Sequence, residues 1–336
     1  MHRGYGTHVC SLLLFLLLSA AWLMGWMGEP MDAPMPSLFG WSPALLPAVQ
    51  LGVGGLLTLG TAALLVRLVD ANALFDTRSS LVSLRPRSPH PQSPVFLLLM
   101  ACTPFALPLT AGTVTLPLTI LSILILVTTH QQQQSVGEYF SAFLLLGLSS
   151  LFIPQWQLLV PFVLMGCLLL GSLTLRTFFA ALLGLIAPWW TAAGVLFLMD
   201  GMERLVIPFR AYVLLPSIGQ LAALPLGQLC GLVVMTLLAL PALIHYPAVG
   251  PTLKERSRVV WLFLILLLVG TLLLTYAQPQ LLPLLYPLLA ALISLFVAQL
   301  AFTLHSRRSR TICQLMILVV LLLYATRPLW MPSSNS

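Results

Sequence analysis

The residues best suited to chemistry lie in one short stretch of a chain that has few charges. This stretch, "MDGMERLVIPFR" (199–210), contains the acids Asp200 and Glu203 and the bases Arg204 and Arg210. A guanidinium can hold a phosphate through two parallel hydrogen bonds, and a carboxylate can act as a general base on an acceptor hydroxyl. The stretch therefore predicts that a polyprenyl-phosphate sugar donor is bound and its sugar transferred. The alternative is a solvated loop whose local ion pair contributes at most about 1 kcal/mol.

Two further acids, Glu29 and Asp32, lie in the stretch "GEPMDAP" (28–34). The topology predicted from charge puts both stretches on the same face of the membrane, so either acid is a candidate catalytic base. The four charged residues of 199–210 are then candidate substrate-binding residues. The cysteines have no metal-ligand spacing, and the sequence contains no Gly-rich phosphate loop, dinucleotide-binding pattern or His-Glu-x-x-His motif. We expect no metal site and no cofactor.

The elements that must position these residues are membrane helices. Of the 336 residues, 59% are hydrophobic and 7% are charged, whereas about 25% of residues are charged in soluble domains. A transmembrane helix needs about 20 mostly apolar residues. The sequence predicts an all-α, polytopic transmembrane helix bundle, one domain over 1–336, with about eleven spans. The predicted spans are 10–27, 44–66, 95–110, 114–129, 139–153, 157–173, 177–199, 222–244, 259–276, 281–302 and 311–325.

Basic residues in short loops mark the cytoplasmic face of a membrane protein. With the N-terminus inside and the C-terminus outside, every lysine and arginine except Arg204, Arg210 and Arg327 is cytoplasmic. This predicts a multi-pass membrane protein with a cytoplasmic basic loop at 67–93. The segment 200–221 is predicted to lie at the outer interface as a Pro-interrupted amphipathic stretch. The net charge of +7 follows from this topology, so we expect membrane lipids as partners and no nucleic acid.

Prolines interrupt many predicted spans, and each removes a backbone hydrogen bond of its helix. The bundle is therefore predicted to contain kinked helices, and the segments between 95 and 173 to form two pairs of short helices beside a lipid-accessible groove. A second hypothesis is thus a flippase or uncoupled transporter. A third is a structural or assembly subunit whose partner protein supplies the chemistry. Glutamines in the spans either line the groove or hydrogen-bond between helices; they are Gln50, Gln228, Gln299 and Gln314.

Two stretches of the sequence resemble segments of other membrane proteins. The first is "VDANALFDTRSSLVSL" (69–84), an Asn-containing segment after the second predicted span. The second is "LRTFFAALLGLIAPWW" (175–190), with a Gly-x-x-x-Pro-aromatic pattern at Gly184, Pro188 and Trp189. Together they resemble an uncharacterised family of multi-pass bacterial inner-membrane proteins, a domain of unknown function, over roughly residues 65–200. The resemblance implies no activity, and Gly184 and Pro188 are more simply a packing glycine and a helix kink.

The chain is also similar in architecture to membrane glycosyltransferases that use polyprenyl-phosphate sugars. Those enzymes place an acid in the first outer loop and combine many spans with short middle helices. The similarity implies Asp32 or Glu29 as the catalytic base. The chain departs from these enzymes because its first outer loop, 28–43, is short and lacks an adjacent acidic pair.

Overall fold

The computed structural model describes residues 47–72, 74, 92–101, 110–130, 132, 135–201 and 226–303. Within these ranges the fold is all-helical, without a strand. The α-helices are α1 Pro47–Asn72, α2 Gln92–Ala101, α3 Ala111–Thr128, α4 Val136–Phe152, α5 Val160–Leu169, α6 Leu175–Leu198, α7 Leu226–Val249, α8 Glu255–Ala277 and α9 Leu282–Thr303. Short 3₁₀ helices at Pro154–Leu159, Gly250–Thr252 and Pro279–Leu281 precede α5, α8 and α9.

The helices agree in position with the predicted spans. Every predicted span from 44–66 to 281–302 overlaps one of them, whereas 10–27 and 311–325 lie outside the described residues. Five helices are long and apolar enough to cross a membrane, namely Gly52–Asn72, Ala111–Thr128, Leu175–Leu198, Glu255–Ala277 and Leu282–Leu300. The protein is therefore a helical membrane protein. The total of eleven spans, the N-in/C-out orientation and the proline kinks stay predictions.

Both ends of the predicted cytoplasmic loop 67–93 are helical in the structure. Helix α1 continues through Arg67 and Asp70 to Asn72, and α2 already begins at Gln92. Apolar content marks how long a segment can lie in lipid, but it does not mark where a helix ends. Arginine has a high helix propensity, so a helix can extend beyond its apolar stretch.

Two of the helices begin with the same four-residue pattern, Thr-x-x-Thr. At α3 the Thr110 hydroxyl accepts from the backbone N–H of Thr113 at 3.2 Å, and the Thr113 hydroxyl accepts from the N–H of Thr110 at 2.9 Å. Thr174 and Thr177 make the same reciprocal pair at the start of α6. Each pair satisfies N–H groups that a helix N-terminus leaves unpaired, so the sequence specifies both starts locally.

Helices α4 and α6 pack closely because glycines lie at their contact. A Cβ added to Gly184 of α6 would collide with the backbone carbonyl of Phe140 in α4. A Cβ added to Gly147 of α4 would lie 2.8 Å from the carbonyl oxygen of Leu185 and 3.0 Å from Pro188. Small residues at such positions let helix backbones approach each other in membranes. Gly184 is therefore a packing glycine, as predicted.

The aromatic residue of the same pattern also contacts α4. The indole N–H of Trp189 donates to the Ser150 hydroxyl at 2.7 Å, about one turn of α4 beyond the contact of Gly147 with Pro188. Gly184, Pro188 and Trp189 thus all face α4. The Gly-x-x-x-Pro-aromatic pattern is the docking surface of α6 on α4.

Helix α9 lies at the centre of the bundle, where it contacts α2, α3, α7 and α8. The most apolar segment of α9 is 89% buried inside the protein, whereas that of α6 is 28% buried. Helix α6 is thus peripheral: one face packs on α4, and the other is exposed and apolar. In a membrane protein such a face contacts lipid or another protein.

Successive helices alternate in direction, which gives the bundle two ends. The Asn72 end contains the C-terminus of α1 and the turns between α3 and α4, α5 and α6, and α7 and α8. The Asp200 end contains the C-terminus of α6 and the turns between α4 and α5 and between α8 and α9. Hydrogen bonds support this grouping, because His130 Nδ1 donates to the Leu170 carbonyl at 3.1 Å and Trp261 Nε1 to the Leu74 carbonyl at 3.1 Å.

Candidate functional site

Of the six predicted site residues, the structure describes Asp200. Glu29, Asp32, Glu203, Arg204 and Arg210 lie outside the described residues. Whether these side chains come together therefore stays a prediction.

Asp200 ends α6 in an unusual backbone conformation. Its φ is 52°, and no other non-glycine residue in the described ranges has a positive φ. The Gly201 N–H donates to the Leu196 carbonyl at 2.8 Å, and the Asp200 N–H to the Phe197 carbonyl at 3.3 Å. This is the hydrogen-bond pattern of a Schellman C-cap, in which the left-handed position is usually glycine. Asp200 therefore occupies a position where a side chain costs about 1–2 kcal/mol.

The surface that leads to Asp200 is apolar. Trp190, Leu198 and Met199 on the last turns of α6 are 78%, 84% and 71% exposed, and Asp200 itself is exposed. An exposed tryptophan and long aliphatic side chains on a membrane helix are compatible with lipid contact near an interface. Asp200 is thus the first ionisable residue where α6 leaves its apolar surroundings.

Charge is divided unequally between the two ends of the bundle. In the described ranges, every lysine and arginine lies at the Asn72 end, and Asp200 is the sole acidic or basic side chain at the other end. Helix α6 alone separates Arg176 from Asp200 by 24 residues, or about 36 Å. The basic residues of the Asn72 end are Arg67, Arg176, Lys254, Arg256 and Arg258.

A polar joint at the Asn72 end connects residues far apart in sequence. Arg256 donates from Nη2 to Asn72 Oδ1 at 3.1 Å, while Asn72 Nδ2 donates to the Leu68 carbonyl at 2.9 Å. Trp261 in α8, fully buried, donates to the carbonyl of Leu74. The asparagine of the "VDANALF" stretch thus anchors the end of α1 to the start of α8. Sequence reasoning singled out that stretch but not its partner, since Asn72 and Arg256 are 184 positions apart.

A second hydrogen-bonded cluster at this end joins the turn before α4 to the turn after α5. The buried Tyr139 hydroxyl lies 2.7 Å from the Ser172 hydroxyl, which is 3.3 Å from that of Thr129. Thr177 donates to the Ser172 carbonyl at 3.2 Å. These are neutral groups that satisfy one another, so the cluster fixes the turns and offers no reactive group.

Tyr246, near the end of α7 and beyond the predicted span 222–244, connects α7 to α8 at the Asn72 end. Its hydroxyl donates to the Arg258 carbonyl at 2.9 Å. Burial raises the pKa of this phenol above its usual value, and the charge of Arg258 opposes the rise. Tyr246 therefore remains a neutral donor at physiological pH.

Among the described residues, no three His, Cys, Asp or Glu side chains lie close enough together to hold a metal ion. Cys167 is fully buried, where a thiol packs as a small apolar side chain. Gln299 is buried within the central helix α9; the side chains of Gln50 and Gln228 are outside the description, as is residue Gln314.

The all-helical fold and its apolar spans define a multi-helical membrane protein. A family of unknown function, DUF6427, matches residues 89–331. The match covers more than half of the chain, so the chain belongs to this family. No curated protein and no solved structure matches the chain significantly.

The family match agrees with the resemblance to an uncharacterised family of membrane proteins. It contains the stretch 175–190 with its Gly-x-x-x-Pro-aromatic pattern, but it begins after 69–84. The comparisons give no support to the architectural similarity with polyprenyl-phosphate glycosyltransferases or to a bacterial source.

Proposed function

We propose that this membrane protein handles a polyprenyl-phosphate-linked substrate at its Asp200 end, with glycosyl transfer as the reaction. The observation that carries the proposal is Asp200, an exposed carboxylate in a left-handed conformation where the apolar surface of α6 ends. Strained backbone in proteins is concentrated at functional sites. A carboxylate at a helix C-terminus also has an unfavourable interaction with the helix dipole. Neither cost is required for the cap, because glycine would avoid both.

The residues that follow Asp200 supply the complementary charge. Arg204 and Arg210 come four and ten positions later in the sequence. If 200–221 lies at the interface as predicted, their guanidinium groups are at the depth of lipid phosphates and can bind one through two parallel hydrogen bonds. Asp200 and Glu203 would orient these arginines or the sugar. Glu29 or Asp32 would act as the general base on the acceptor hydroxyl.

The substrate class is tested by mass spectrometry of the lipids retained after gentle purification. The test variant is Arg204→Ala combined with Arg210→Ala. The matched control is Arg67→Ala combined with Arg176→Ala, which removes two exposed arginines from the Asn72 end. We expect a polyprenyl phosphate in the native protein and the control but not in the test variant. Ordinary phospholipids alone in all three proteins would contradict the proposal.

The chemical step is tested separately with Asp32→Asn and Glu29→Gln. One of these substitutions should abolish sugar transfer from the retained lipid while the variant still binds that lipid, because a base is needed only for the reaction. Full transfer in both variants would remove both acids from the mechanism. Stable co-purification of another protein, with no lipid specificity, would instead favour the hypothesis of an assembly subunit.

Asp200 itself can be tested with two substitutions of opposite character. Asp200→Asn keeps the side-chain shape and a residue type that tolerates the left-handed region, but it removes the charge. Asp200→Gly relieves the backbone strain. The proposal expects both variants to retain less polyprenyl phosphate, although Asp200→Gly should be the more stable protein by about 1 kcal/mol. Unchanged lipid retention in both would leave Asp200 as a helix cap only.

A further inference from the structure

Ser122 differs from the other buried hydroxyl residues of the bundle. Most of the described buried serines and threonines in the helices donate to the backbone carbonyl three or four residues earlier, as Thr119 does to Thr115 at 2.9 Å and Ser294 to Ala291 at 2.7 Å. Ser122 is fully buried, yet its hydroxyl oxygen has no hydrogen-bond partner among the described residues. An unpartnered buried hydroxyl is costly, so a native one calls for a missing partner.

The missing partner has a place to bind. Ser122 and Thr119, one turn apart on α3, line a small internal cavity that is closed by Trp156 and by apolar residues of α4, α5, α8 and α9. These apolar residues include Leu146, Val163, Leu267 and Leu288. The space holds about one molecule the size of water. An apolar ligand would leave Ser122 unpaired, and a larger polar ligand would not fit.

The geometry of the polar wall also favours water. The Thr119 hydroxyl donates to the Thr115 carbonyl and accepts from the Trp156 indole N–H at 2.9 Å. It therefore has one acceptor site left, while Ser122 offers both a donor and an acceptor. A water molecule can accept from Ser122 and donate to Thr119, and two to four polar partners are what buried water requires.

We infer that the cavity between α3, α5 and α8 is a binding site for a single ordered water molecule, held by Ser122 and Thr119 beside Trp156. The site is separate from both ends of the bundle, because Ser122 lies about 17 Å along α3 from its first residue. It gives the apolar interior one hydrated position. The inference is independent of the proposed lipid substrate.

Hydration is tested by NMR on protein with ¹⁵N-labelled tryptophan. Trp156 and Trp261 are both fully buried, and each indole N–H donates to a protein oxygen. Only Trp156 lines the cavity, so Trp261 is the matched control. We expect a cross-peak of long-lived water to the Trp156 indole proton, absent for Trp261 and lost in Ser122→Ala. A Trp156 signal equal to that of Trp261 in the native protein would overturn the inference.

Thermal stability provides an independent readout. If Ser122 bonds a water molecule, Ser122→Ala removes satisfied hydrogen bonds and should lower the Tm by about 2–4 °C. The reference variant is Ser294→Ala, which removes a buried hydroxyl bonded to a protein carbonyl. If the cavity were empty, Ser122→Ala would remove an unpaired polar group. A Tm at or above the native value would therefore overturn the inference.

Discussion

The two ends of this bundle are built differently. At the Asn72 end, side chains from distant parts of the sequence are hydrogen-bonded to one another and to turn carbonyls, and this end carries all the described basic residues. At the Asp200 end, the backbones of α3 and α9 are in close contact, because a Cβ on Gly112 would collide with the Leu284 carbonyl. The Tyr286 hydroxyl donates there to the Leu99 carbonyl at 2.8 Å.

The comparison distinguishes polar side chains that hold the fold together from polar side chains that remain free to contact a ligand. The Asn72, Tyr139 and Ser172 side chains are buried and bonded within the protein, so they stabilise turns rather than bind ligands. Asp200 is exposed, in a strained conformation, and adjacent to a charged segment. The basic residues and internal polar contacts of the Asn72 end agree with the predicted cytoplasmic face. The opposite end, where Asp200 is the one acid among the described residues, is where we propose substrate binding.

The largest expected effect concerns the side of the membrane on which each end lies. In a variant without the native cysteines, Asp200→Cys and Glu138→Cys place single thiols at exposed positions of opposite ends. We expect a membrane-impermeant thiol reagent to label Asp200→Cys in intact cells and Glu138→Cys only after the membrane is opened. Labelling of both from outside would show that the ends are not on opposite faces. The reverse pattern would invert the predicted orientation.

The next effect concerns the contact that holds α6, and with it Asp200, against α4. Gly184→Val forces the helices apart because the new side chain meets the Phe140 backbone. We expect a loss of about 3 kcal/mol in the free energy of unfolding, the upper end of the cost typical of overpacking, because the new side chain meets backbone. The measurement is reversible unfolding in detergent or steric trapping in bicelles.

Gly194 is the matched control for this contact. It lies in the same helix, and a Cβ there would have open space around it. Gly194→Ala should leave the protein unchanged or stabilise it by up to about 1 kcal/mol, because alanine is the better helix former. Equal destabilisation by Gly184→Val and by Gly194→Val would contradict the packing role of Gly184.

A smaller effect is expected at the polar joint of the Asn72 end. Asn72→Ala leaves the Arg256 guanidinium without its acceptor and should destabilise the protein by about 1–3 kcal/mol. Arg256→Ala and the double variant complete a double-mutant cycle, which isolates the interaction between the two side chains. A coupling energy near zero would show that the 3.1 Å contact does not contribute to stability.

The smallest effect is expected for the neutral cluster. Tyr139→Phe removes the hydroxyl that contacts Ser172 and should cost about 1 kcal/mol in the free energy of unfolding. Tyr276→Phe is the control, because Tyr276 also contacts a hydroxyl, that of Thr236, but is 40% exposed. Its loss should be smaller, since water replaces the bond. Equal losses would indicate that burial does not distinguish the two sites.

Local features of the fold were predictable from the sequence. Continuous apolar segments located the helices from 44–66 to 281–302, because backbone groups in lipid must bond within their own segment. Gly184 was predictable as a packing residue, since a glycine within an apolar helix has little other use. The helix limits were less predictable: α1 continues through two charged residues to Asn72, whose side chain is bonded to Arg256 of α8, a contact that hydropathy does not indicate.

Contacts between distant segments were not predictable from one sequence. Nothing local to Asn72 indicates Arg256 as its partner, and nothing local to Ser122 indicates that its hydroxyl lies unbonded at a cavity. Asp200 was predictable as a charged residue at the end of a span, but not as a left-handed C-cap. An aspartate at such a position gives no stronger local signal than an aspartate in an ordinary turn.

The sequence by itself determined that this protein is a bundle of membrane helices, because low charge and continuous apolar runs leave the chain no other way to satisfy its backbone. The tertiary structure decided which polar groups are hydrogen-bonded within the fold and which remain exposed. Asparagine, tyrosine and serine have the same chemistry wherever they occur. Only the positions of neighbouring helices turn Asn72 into a joint, Ser122 into a candidate water site and Asp200 into an accessible carboxylate.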